Sequence, residues 1–81
     1  MVRVLLFGKL ADLAAWRERT FDPAPATLTA LRALIAAADA DLAAALAGPG
    51  VQAVVNRQIA CGDAFLAAHD EVAFLPPMSG G

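Results

Sequence analysis

The amino-acid sequence predicts an α+β domain, a mixed sheet of four to five strands packed on one main helix. Three observations predict it. Val2, Val4 and Leu6 alternate with Arg3, Leu5 and Phe7, the period of a strand with one face on a core. Leu28, Leu31, Ile35 and Ala38 recur at helical spacing behind Thr27, a good N-cap. Glu71-Val72-Ala73-Phe74-Leu75 is a strand-like run closed by Pro76-Pro77, which cannot continue a ladder. If the first and last strands run the same way through the middle of the sheet, the helix covers one face.

The remaining elements follow in chain order. Gly8 ends the first strand, and Lys9 to Trp16 suits a short helix with Leu10, Leu13 and Ala14 on one face. Arg17 to Phe21 reads as a second strand, antiparallel to the first. Asp22-Pro23-Ala24-Pro25-Ala26 is a turn. After the main helix, Asp39 or Asp41 caps a second short helix carrying Leu42, Ala45 and Leu46, stopped by Gly48-Pro49-Gly50. Val51, Ala53 and Val55 mark a central strand, Asn56-Arg57 a turn that sets Arg57 next to the tail in the expected sheet, and Gln58-Ile59-Ala60 a very short strand. Cys61-Gly62-Asp63 is a loop, and Ala64 to Ala68 is one helical turn or an extended segment. The organisation expected is one domain over residues 1–75 and a flexible tail over 76–81.

Size and charge narrow the function. An 81-residue chain is one domain. It buries roughly 60% of its unfolded surface, which leaves little room for an enclosed active-site pocket. Hydrophobic residues make up 59% of the chain and the net charge is −2, which argues against disorder and against nucleic acid as the main partner. The charge is uneven: residues 39–81 hold Arg57 alone against Asp39, Asp41, Asp63, Asp70 and Glu71. Such a surface is attracted to a basic cleft on a protein partner. The single cysteine, Cys61, cannot form an internal disulfide or a multi-cysteine zinc site. No apolar run approaches the about 20 residues of a membrane helix, and the N-terminus lacks a signal-peptide pattern, so a cytoplasmic protein is expected.

Conventional catalytic groups find no constellation. His69 and Asp70 are adjacent and do not face each other on a strand. Asp70-Glu71 is a carboxylate pair in sequence only, because alternation separates the two side chains. Gly48-Pro49-Gly50 lacks the helix and lysine of a phosphate loop. Cys61 stands beside Asp63, which does not favour a thiolate. No cluster of ligands has metal spacing. What remains is Pro76-Pro77-Met78-Ser79-Gly80-Gly81: a strand, a stiff proline pair, then two glycines able to thread a narrow channel. A terminal carboxylate on such an arm is inert until activated, and acyl-adenylation by ATP supplies that activation.

The sequence resembles the small subunit of molybdopterin synthase, a sulfur-carrier family with the ubiquitin-like β-grasp fold. The likeness spans Val4-Leu5-Leu6-Phe7-Gly8, the helix after Thr27, Ala53-Val54-Val55-Asn56 and, most specifically, Asp70-Glu71-Val72-Ala73-Phe74-Leu75-Pro76-Pro77-Met78-Ser79-Gly80-Gly81. By that resemblance Gly81, behind Gly80, carries the acyl-adenylate and then the thiocarboxylate. The partners implied are an adenylating enzyme related to ubiquitin activators, which uses ATP, a sulfurtransferase or desulfurase, and the large synthase subunit in a heterotetramer. This chain would then be a consumed and recharged co-substrate that binds no cofactor tightly. The docking surface implied comprises Phe7, Ile59 and Leu75, continued by Pro76, Pro77, Met78 and Ser79. Two departures stand out. His69 occupies a turn position where the family often has glycine, and Leu75 stands where an aromatic is common. The rivals are a thiamine-pathway or tRNA-thiolation carrier, a ubiquitin-like modifier joined to lysines, and a plain interaction domain. Pro76-Pro77 favours the molybdopterin pathway over the thiamine one.

Overall fold

The computed structural model describes residues 1–60 and 62–77. Strand β1 (Val2–Leu6) points Val2, Val4 and Leu6 into the core and Arg3 and Leu5 away from it. Gly8 then opens α1 (Lys9–Ala14), a six-residue helix that ends at Ala15 in the left-handed region. So short a helix presents Leu10 and Ala11 inward; Leu13, expected on the inner face, is 49% exposed. β2 (Glu18–Phe21) pairs antiparallel with β1, with Leu5 opposite Glu18 and Val2 opposite Phe21.

The main helix, α2 (Leu28–Ala38), starts where Thr27 predicts: its hydroxyl accepts from the Ala30 amide at 3.0 Å. Leu28, Leu31 and Ile35 are buried, whereas Ala38, the last helical residue, is exposed. Asp39 ends α2 in an extended conformation and caps α3 (Ala40–Leu46) by accepting from the Leu42 amide at 3.0 Å. Leu42 and Leu46 face the core. Arg32 reaches from α2 to the Leu46 carbonyl at 3.4 Å while its guanidinium lies over the Phe74 ring, joining the two helices above the sheet.

Strands β3 (Gln52–Val55), β4 (Gln58–Ala60) and β5 (Glu71–Leu75) complete a five-stranded sheet of order β2-β1-β5-β3-β4. β1 and β5 run parallel, and every other pairing is antiparallel. The last strand is thus the central one. Asn56 and Arg57 form the β3–β4 turn, both with positive φ. The 64–68 segment is extended rather than helical: Phe65 bridges Thr27, and the Leu66 amide donates to the Ala26 carbonyl at 2.8 Å. This buries Leu66 beneath the start of α2. The core is one cluster from β1, α1, α2, α3, β3 and β5, centred on Val4, Leu31, Leu42, Val72 and Phe74. No helix among the described residues is long and apolar enough to cross a membrane.

Candidate functional site: the strand exit and the open face of the sheet

The sheet order decides what surrounds the end of β5. β1 is parallel to β5, so its C-terminal end, Phe7-Gly8, lies at the exit. β3 is antiparallel, so its N-terminal approach, Gly50-Val51, lies there too. Gln52 opposite Leu75 is the last rung on that side. Pro76, half-buried, and Pro77, exposed, then leave the sheet between two glycines. A Cβ placed on Gly8 would lie 3.0 Å from the Pro76 Cγ, and one on Gly50 only 2.7 Å from the Pro77 Cβ. Both glycines have positive φ, 56° and 82°. Met78, Ser79, Gly80 and Gly81, the predicted business end, lie outside the described residues.

The sheet face turned away from the helices is divided. One row across it reads Leu5, Ala73, Val54 and Ile59, fixed by the pairing of Leu5 with Ala73, Ala73 with Val54, and Val54 with Ile59. Ile59 is 60% exposed and the other three are half-buried. Leu75 is half-buried one step nearer the tail, and Phe7, just past β1, is 46% exposed. The three residues expected to dock a partner therefore lie along one apolar face that leads into the proline exit. Leu5, Val54 and Ala73 join them. Their signal was in the sequence, as apolar residues at the outward positions of strands, where a solvated face would carry polar ones.

Further from the exit the same face is polar. Arg3 forms ion pairs with Glu71 and, at 3.8 Å, with Glu18. Hydrogen bonding to Glu71 is the main influence raising the Arg3 pKa. Asp70 turns the other way: its carboxylate accepts from the Ala67 amide at 2.7 Å, which with Asn56 holds its pKa below the usual value. The two adjacent carboxylates thus point apart. Arg57, placed beside the tail by sequence reasoning, sits at the opposite end of the sheet, because the β3–β4 turn abuts the start of β5. His69 takes φ 72°, so its turn does demand the left-handed conformation that glycine supplies cheaply. Among the described residues, no group of three or more His, Cys, Asp or Glu side chains could hold a metal ion.

Comparison with known proteins places this architecture. The model of the ThiS family matches residues 4–81. The chain belongs to the ThiS family. It is thus a ubiquitin-fold protein of a sulfur-carrier family. Solved structures agree on the β-grasp fold. SAMP1 from Haloferax volcanii superposes on this ThiS-family chain with a TM-score of 0.84 and 28% identity, covering 99% of this chain and 98% of that one. A second structure of the H. volcanii small archaeal modifier protein 1 gives 0.82 and 24%, over 95% and 97% of the two chains. The solution structure of SAMP1 from Methanosarcina acetivorans gives 0.71 and 22%, over 99% and 95%. A sequence comparison with curated proteins gives no match.

Proposed function

We propose that this chain is the sulfur-carrier subunit of molybdopterin synthase. In this reading the Gly81 carboxylate attacks the α-phosphorus of ATP on an adenylating partner and pyrophosphate leaves. A persulfide on a sulfurtransferase or desulfurase then attacks the acyl carbon as AMP departs, and a second thiol cleaves the S–S bond of the acyl disulfide, leaving the thiocarboxylate and a disulfide on the donor side. The thiocarboxylate enters the large synthase subunit and gives its sulfur to a cyclic pyranopterin precursor. The observation that carries the reading is the block from Asp70 to Gly81. It delivers a central strand, a proline exit and two glycines in unbroken succession, and the family match runs through its last residue. The apolar face of Phe7, Ile59 and Leu75, adjoining that exit, supports a docked partner.

A second reading, a modifier joined to lysines of other proteins, is favoured by the likeness to SAMP1 of H. volcanii. The intact mass of the C-terminal peptide, taken from cells making the cofactor, separates the two. Replacement of one oxygen by sulfur on Gly81 is expected. An unshifted peptide, with the tail found bonded to lysines, would overturn the carrier reading. Deleting Gly80-Gly81 is expected to abolish sulfur transfer and leave the melting temperature unchanged, and a truncated chain that still supports cofactor synthesis at the normal rate would refute it.

A further inference from the structure

We propose that Gly8 and Gly50 are positioning residues: a pair of side-chain-free jaws that aim the tail by leaving room for Pro76 and Pro77 and for nothing else. The inference rests on the tail being the working group, as proposed above, and goes beyond it in assigning two residues distant in sequence to its direction.

The geometry is specific. Real Cβ atoms essentially never approach another heavy atom to 2.7 Å, the distance at which a methyl on Gly50 would meet Pro77 Cβ, with Pro77 Cα next at 3.5 Å. Those atoms belong to a ring fused to the backbone, so they cannot swing aside as the far end of a flexible side chain can. Relief must come from displacing the chain itself. On the other side, a methyl on Gly8 would sit 3.0 Å from Pro76 Cγ. The prolines have fixed φ and no N–H, so they donate no ladder hydrogen bond to the sheet. Their direction is set by what they pack against. The glycine pair begins three positions beyond Pro77, so a small turn at the jaws becomes a large displacement at the carboxylate. Reaction geometry is sensitive on that scale: about 1 Å of misplacement can cost roughly 100-fold in rate.

Positive φ at both glycines offers a competing explanation, in which a methyl only strains the backbone. Gly62 separates the two. Its φ is 90°, yet a Cβ there would meet nothing within 4 Å. Gly62→Ala therefore reports left-handed strain without contact to the tail.

The test uses spin labels at Ser79→Cys and Thr20→Cys in a Cys61→Ser chain, read as a distance distribution by pulsed electron resonance. Gly50→Ala is expected to move the distribution outside the wild-type envelope, and Gly62→Ala to leave it in place. Identical distributions for Gly50→Ala and the parent chain would overturn the proposal, as would an equal shift in Gly62→Ala. If Gly50→Ala alone fails to fold, the background Pro77→Gly, which removes the opposing Cβ, keeps the question open to decision. There the added methyl should do no more than Gly62→Ala does, and a larger effect sinks the jaws. In ATP-dependent charging by the adenylating partner, Gly50→Ala should lower the charging rate constant by roughly 10- to 100-fold while the enzyme's KM for ATP stays unchanged. The distance measurement needs no charging, so failure of the jaws and failure of the carrier reading show up separately.

Discussion

Where β5 begins, polar contacts hold it: Asn56 accepts from the Glu71 amide at 2.9 Å and donates its own amide to the Glu71 carbonyl at 2.8 Å, and Arg3 pairs with the Glu71 side chain. Where β5 ends, Pro76 and Pro77 offer no donors and are confined by the bare faces of Gly8 and Gly50. Directional bonds suit a strand that must keep its register. Under the proposed function, shape alone suits a segment that leaves the fold on a fixed heading and passes into a partner. The two ends should therefore respond differently to mutation, the start in stability and the exit in partner-dependent work.

The largest contrast is expected at Leu75, the last residue of β5. Leu75→Glu places a charge on the apolar face and should weaken binding to the proposed partner, the large synthase subunit, by roughly 30-fold or more, the scale of an interface hot spot. The isolated domain should stay folded, because the side chain lies outside the core. Unchanged affinity by titration calorimetry would show that this face does not dock.

At the other end, Asn56→Ala should cost about 1–2 kcal/mol of folding stability, from one lost hydrogen bond and an alanine held at positive φ. Charging should be unaffected at temperatures where the domain is folded. Urea denaturation and a charging assay on one sample check both halves. His69→Gly should act in the opposite direction. It removes a left-handed cost of about 1–2 kcal/mol and adds unfolded-chain freedom of roughly 0.5–1 kcal/mol, so a gain of up to about 1.5 kcal/mol is expected. A lower urea midpoint would mean that the His69 side chain stabilises the turn by more than its backbone strain costs.

The smallest effect is a pH dependence. Asp63 and Asp70 both sit below their ordinary values, chiefly because they accept from the Thr29 and Ala67 amides. A carboxyl lowered by folding stabilises above its unfolded pKa, and that contribution disappears as the pH falls through the lowered folded value. The urea midpoint should therefore decline as the pH drops below about 4. Asp70→Asn should make the decline shallower, and an unchanged acid slope would mean that these hydrogen bonds do not persist in solution.

Much of this fold is legible along the chain because local physics determines it. Thr27 and the stripe of Leu28, Leu31 and Ile35 fix α2 without help from the rest of the molecule. The alternation in β1 fixes its inner face. Leu13 was misread because a six-residue helix takes its inner face from how it is docked, and Leu10 with Ala11 fit that docking. Arg57 was misplaced because a turn's neighbours depend on strand order and direction, which no local pattern encodes. The same reason hid Gly8 and Gly50. They are far apart in sequence, and only the β1-β5-β3 order, one neighbour parallel and the other antiparallel, brings both to the exit. Resemblance pointed to Phe7, Ile59 and Leu75, which the strand register sets along one apolar face. The outward Leu5, Val54 and Ala73 needed only the register.

The central place of β5 also bears on how the molecule comes into being. Its parallel partner is β1, with Arg3 and Glu71 meeting across 68 residues of chain. Contacts so distant in sequence are slow to close, because the loop entropy is spent before they form. Until that strand docks, the sheet has β1–β2 and β3–β4 as separate hairpins with no middle. The segment that finishes folding is therefore the one that bears the tail, and the tail takes its place between Gly8 and Gly50 only when β5 is seated. A chain that has not folded cannot present its terminus on the right heading, so under the proposed function activation by a partner that reads the exit would double as an inspection of the finished domain.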